Sequence, residues 1–100
     1  RQRTEPIMIL AAVGKELRQL YTARMALDAG KDRFWLKQVW GMNSDYPAKL
    51  LLQAARRVDR RWCQDAVQAC QVLDRRMKSE KNIDSEDELK LFLMGLAARR

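Results

Sequence analysis

The sequence predicts an all-α protein, a compact bundle of about five helices. Three observations carry this. Apolar residues recur at spacings of three and four through most of the chain, and no segment alternates with a period of two over strand length. Glycine, proline and short polar capping residues also cut the apolar pattern into five pieces. One hundred residues, 47% of them apolar, suit a single domain spanning 1–100 with its own core.

The first helix opens at Thr4, a capping candidate, with Glu5 and Pro6 in its first turn, where an absent N–H costs nothing. It runs to Ala29, and Gly30 stops it. At 100° per residue, Ile9, Leu10, Val13, Leu17, Leu20 and Tyr21 form its inward stripe, with Arg24 projecting from the middle. A short second helix covers about Asp32 to Trp40 and is closed by Gly41; Met42-Asn43-Ser44 is a turn. Asp45 caps the third, with Pro47 in its first turn and its end near Val58. Asp59 caps a long fourth helix reaching about Lys81, with Cys63, Ala66, Val67, Cys70, Leu73 and Met77 on one arc. Ser85-Glu86-Asp87-Glu88 spells a capping box before the last helix.

Asp74 falls inside the inward arc of the fourth helix. An acid and a base on buried faces need partners, because an unpaired buried charge is expensive. The faces alone therefore predict a charge pair between Arg24 and Asp74, with Arg56 or Arg57 as competitors for the same carboxylate. The alternative is that both side chains bend out to water at the edge of the stripe.

The last helix is apolar on two sides. Leu89, Phe92, Leu93 and Leu96 make one face; Leu91, Met94 and Ala98 make the opposite one. A terminal helix has one side against its own core, so the second face reads as an intermolecular surface. The competing reading has both faces packed inside the bundle.

Chemistry is sparse. There is no histidine, which excludes a Ser-His nucleophile system, and the two cysteines leave no zinc-type ligand set. Cys63 and Cys70 lie seven residues apart on one helix, about 10 Å, too far for a disulfide, and read as small core hydrophobes. The four glycines have no phosphate-loop spacing, and Glu86, Asp87 and Glu88 sit at a helix start, where the dipole accounts for them. No catalytic, cofactor or metal residue is assigned. The longest apolar run, Ile7 to Gly14, is far short of the roughly 20 residues that span a bilayer.

A net charge of +7 favours an anionic neighbour. Arg56, Arg57, Arg60 and Arg61 crowd the joint between the third and fourth helices, with Trp40 and Tyr46 near in sequence; together they are the candidate nucleic-acid contact. Lys31 to Arg57 also imitates a helix-turn-helix. The plainer reading is a solvated basic face, with Trp35 and Trp40 in the core.

The order of segments resembles a known family. Glu5-Pro6-Ile7-Met8-Ile9-Leu10, Glu16-Leu17-Arg18-Gln19-Leu20 and Leu27-Asp28-Ala29-Gly30 look like the start of the C-terminal domain of the bacterial DNA polymerase III delta subunit. Tyr46-Pro47 followed by Lys49-Leu50-Leu51-Leu52-Gln53-Ala54-Ala55-Arg56-Arg57-Val58 is similar to that family's third helix. Asp74, Met77, Lys78 and Ser79 match its pattern near the end of the fourth. The likeness covers nearly the whole chain. It departs in the tryptophans of the second helix and in the residue after Ser79, which is not glycine.

The resemblance implies a collar, or post-AAA+ oligomerisation, domain cut from a longer chain. Such a domain joins the equivalent domains of the gamma/tau and delta-prime subunits and holds the clamp loader together. The absent N-terminal part would meet the sliding clamp, and DNA would be reached through the complex. The parent assembly is a DNA-directed DNA polymerase (nucleotidyltransferase) holoenzyme, cytoplasmic and replisome-associated, while this domain has no catalysis. The isolated piece would have a face through which to self-associate. The alternative function is a small helix-turn-helix-like DNA-binding regulator.

Overall fold

Aspartate caps and left-handed glycines set the helix ends. The computed structural model describes residues 4–98. Its helices are α1 (Thr4–Asp28), α2 (Arg33–Trp40), α3 (Asp45–Ala55), α4 (Arg60–Ser79) and α5 (Ser85–Ala98), and no strand is present among the described residues. The expected all-α bundle is the observed one. The capping role expected of Thr4 falls on a side chain outside the described set.

After α1 the chain turns at Gly30, where φ is +72°: Lys31 N–H donates to the Ala26 carbonyl at 2.8 Å and Gly30 N–H to Leu27 at 3.2 Å. This six-to-one and five-to-two pattern satisfies carbonyls the helix leaves open. Gly41, φ +63°, repeats it after α2 through Met42 N–H to Lys37 and Gly41 N–H to Gln38. Asp32 caps α2 by accepting from the Phe34 and Trp35 N–H groups, and Asp59 caps α4 by accepting from Trp62 N–H at 2.7 Å.

Three boundaries differ from expectation. Ser44, not Asp45, holds the N-cap position of α3. That helix stops at Ala55, because Arg57 and Val58 donate back to Ala54 and Ala55, a tighter turn than the α-helix allows. At α5 the capping side chain is Asp84 rather than Ser85: Asp84 accepts from Asp87 N–H at 3.2 Å, while the Ser85 hydroxyl is buried without a partner. A capping box one residue out of step arises because aspartate competes well for the same amide.

α1 is the spine, packing against each of the other four helices. Its N-terminal half, α4 and α5 enclose one core of Leu10, Leu17, Ala66, Cys70, Leu73, Met77 and Leu89. Its C-terminal half meets α2 and α3 in a second core around Ala23, Leu36, Ala48 and Ala55. The molecule is accordingly elongated, 45 × 27 × 17 Å. Because partners change along α1, its buried stripe rotates, and Ile9, expected inward, is 42% exposed. The alanines in the second core let α1 and α3 approach closely; small side chains carry little signal in a hydropathy pattern.

α1 and α4 run antiparallel. Asp28 meets Arg60, Tyr21 meets Gln64, and the Leu10 carbonyl lies 3.7 Å from the Cys70 thiol, so partners descend one helix as they climb the other. Gly14 lies against α4 at this seam, where an added Cβ would lie 3.2 Å from Cys70 Sγ. Gly14→Leu is therefore expected to destabilise by roughly 1–3 kcal/mol through overpacking, read as a lower midpoint in urea with an unchanged slope. An unchanged midpoint would show that the seam is looser than this.

Candidate functional site

The outer face of α5 is the first candidate. Leu89 is buried and Phe92 and Leu96 pack on the first core, so one side of the helix closes the bundle. The other side does not. Leu91 is 62% exposed, Met94 67%, and Ala98 is exposed as well. Spacings of three and four align the three as a single stripe. Leu93, expected on the inward face, is half out at 38%. Met8 and Ile9, on the α1 end of the molecule against which α5 packs, are also exposed; the hydropathy stripe of α1 leaves out the first and misplaces the second.

The charge pair expected between Arg24 and Asp74 is not formed. Arg24 donates instead to Asp28, 2.6 Å, and to the backbone carbonyls of Ala55 and Val58, 3.0 and 3.2 Å. Asp74 accepts from Lys78 at 2.9 Å, one turn along its own helix. The cause is register. Arg24 lies level with the start of α4 near Arg60, and fourteen residues, about 21 Å of helix, separate Arg60 from Asp74.

Where Arg24 does sit, it does structural work. α3 and α4 do not pack directly on each other; both lean on α1. A guanidinium at the C-terminal end of α3 gives the Val58 carbonyl a donor, adds a second donor to the Ala55 carbonyl, which also accepts from Val58 N–H, and complements the negative end of that helix. Asp28, held between Arg24 and Arg60 (3.2 Å), completes the joint. The hydrogen bond from Arg24 is the largest effect on the Asp28 carboxyl; burial, the next, pushes it up, and the charges of Arg24 and Arg60 join the hydrogen bond in holding it below the usual carboxylate range.

The basic cluster is the second candidate, and the structure regroups it. Arg60 is drawn to Asp28 and Arg61 to Asp65, both at 3.2 Å. Trp40 packs into the second core, its indole N–H buried without a partner, while Tyr46 is 66% exposed at the start of α3. Arg56 and Arg57 instead line a groove of about 720 Å³ together with Lys31, Arg33 and Lys49, over a floor that includes Leu27 and Leu52. Lys31 and Arg33 had no place in the cluster drawn from sequence, because only the fold brings the α1–α2 turn and the start of α2 against α3; Lys49 lies on α3 itself, seven residues before Arg56.

Cys63 and Cys70 are free and buried. Burial, and then the carboxylates of Asp59 and Asp74 respectively, push both thiols up, so they are neutral packing groups near pH 7. Among the described residues no group of three or more His, Cys, Asp or Glu is placed to hold a metal ion, and no helix is long and apolar enough to cross a membrane.

Comparison with curated proteins and with solved structures gives no match. The family model described as DNA polymerase III delta subunit, C-terminal domain, matches residues 1–96. That match takes in every segment that carries the resemblance, from Glu5-Pro6 through the Asp74 to Ser79 stretch, and both the α5 face and the basic groove lie mostly within it. The chain belongs to the family formed by the C-terminal domains of DNA polymerase III delta subunits.

Proposed function

We propose that this domain is a non-catalytic assembly element of a clamp loader, working in the cytoplasm and docking through α5 onto the C-terminal domains of gamma/tau and delta-prime subunits. The observation that carries the reading is the outer stripe of α5: Leu91 and Met94 are about two-thirds exposed on a helix whose opposite side already closes the core. Fully burying a leucine or methionine contributes roughly 1.5–3 kcal/mol, so covering this stripe supplies several kcal/mol before the costs of association. Family membership supplies the kind of neighbour. Loading of the sliding clamp onto primed DNA would then depend on this domain for cohesion.

A free-standing DNA-binding regulator built on α2 and α3 is the weaker reading. The helices and the turn between them form as that reading needs, but α3 is held on α1 and α2 through Ala48 and Ala55, and the family is that of a polymerase subunit.

The test is a pull-down of the chain against purified gamma/tau and delta-prime C-terminal domains. Leu91→Glu with Met94→Glu is expected to weaken capture at least tenfold while leaving the helical circular dichroism unchanged, since both side chains already face water. Undiminished capture would remove the interface assignment.

A further inference from the structure

The groove between the α1–α2 turn and the C-terminal part of α3 has a charge imbalance that internal contacts relieve only in small part. Of its five cations, Lys31, Arg33, Lys49, Arg56 and Arg57, only Arg33 has an ion-pair partner among the described residues, Asp45 at 3.9 Å. The one carboxylate in the lining, Asp32, already accepts two backbone N–H bonds as the cap of α2. Six cations elsewhere, Arg24, Arg60, Arg61, Arg76, Lys78 and Lys90, each have an acid nearby, and those left without one among the described residues, such as Lys15 and Arg75, do not gather around a concavity with other cations as these do. Like charges crowded around a concavity repel one another, and an anion entering it relieves that repulsion.

We propose that this groove binds the phosphodiester backbone of a single-stranded nucleic acid. Cations stand on both walls, from the α1–α2 turn on one side and from α3 on the other, as a strand of phosphates passing between them requires. Leu27 and Leu52 between the walls give the sugars an apolar floor. Phe34, next in the chain to the lining residue Arg33, is 55% exposed, and the Arg33 guanidinium lies over one face of its ring at 4.8 Å from the centroid, so an aromatic ring and a phosphate-binding cation stand together. Phosphates on cations with a base stacked on an aromatic ring is how single strands are held without sequence preference. An acidic peptide offers the charges but no planar ring for Phe34. A duplex is read by an element that protrudes into its groove, whereas this site is concave. The proposal rests on none of the contacts assigned to α5.

The experiment is fluorescence anisotropy of a labelled 20-residue oligothymidylate titrated with the chain between 50 and 200 mM salt. Lys31→Gln with Lys49→Gln, one cation from each wall, is expected to weaken binding at least tenfold. It should also flatten the dependence of log K on log salt by about 1.4, at about 0.7 for each lost phosphate contact on a single strand. Phe34→Ala is expected to weaken binding about tenfold with the salt slope unchanged. Lys15→Gln with Arg75→Gln removes the same net charge elsewhere on the surface and is expected to change affinity less than twofold. An equal loss in that control, no binding at all, tighter binding of a duplex of the same length, or displacement by polyglutamate as effective as by unlabelled strand would each overturn the proposal. Leu91→Glu with Met94→Glu should leave the titration unchanged, so failure of the groove and failure of the assembly face are told apart.

Discussion

Leu36→Ala is expected to lower stability by roughly 2–5 kcal/mol, the range for truncating a fully buried leucine. Leu36 has no exposed surface and is the one buried residue of α2. An eight-residue helix does not persist on propensity alone, so α2 depends on this single side chain reaching the core it shares with Ala23, Ala48 and Ala55. Flanking Trp35 and Trp40 are only partly buried and cannot fill the space a lost leucine leaves. For a domain of this size each kcal/mol moves the melting temperature by about 4–8 °C, and a scan by circular dichroism reads that directly. A shift of less than 4 °C would mean that α2 is anchored by the indoles instead.

Arg24→Met is the second large effect. Methionine keeps the aliphatic stem but takes the Arg24 donor from the Val58 carbonyl and from the Ala55 carbonyl, which keeps only its 3.3 Å bond from Val58 N–H, and removes the closer cation from Asp28. Loss of partners for part-buried carbonyls costs roughly 1–3 kcal/mol. The pH dependence follows from the Asp28 carboxyl, which is depressed in the folded protein. A depressed carboxylate contributes stability that is present above its unfolded pKa and lost as pH falls through the folded value. The gap between parent and Arg24→Met should therefore be full at neutral pH and narrow below about pH 3.8, the ordinary value for that carboxyl. Asp74→Ala makes the contrast. Its one ion-pair partner among the described residues is Lys78, one turn along the same helix, a kind of pair worth about 0.3–0.5 kcal/mol, so its melting temperature should stay within a few degrees of the parent. A larger loss for Asp74→Ala than for Arg24→Met would return the charge pair to where the helical faces alone had put it.

That contrast marks the limit of what the sequence could reveal. Caps and stops are local, and Gly30, Gly41 and Asp59 stand where they were expected, because φ preference and a side-chain oxygen two or three residues from an amide need no tertiary information. The faces of α4 and the outward stripe of α5 are likewise local, given by 3.6 residues per turn. Which residue on one helix lies level with which on another is not local. It put Arg24 beside Ala55 and Val58 instead of Asp74, whereas the Asp28 partner, one turn along α1, is a local pair the helical faces did offer. The same gap hid the groove: a cluster drawn from neighbours in sequence included Arg60 and Arg61, which are held by Asp28 and Asp65, and omitted Lys31, Arg33 and Lys49.

With α1 as the common support, the two small cores are two sides of one rod, and neither can melt without laying bare part of the helix the other relies on. Cooperativity is thereby built into a chain whose cores are each too small to stand alone. A load applied at the free face of α5 reaches α2 and α3 chiefly along α1, with the Arg24 joint and the short 56–59 connection between α3 and α4 as the other links. Neighbours gripping that end would be felt at the other as a tilt of one long lever.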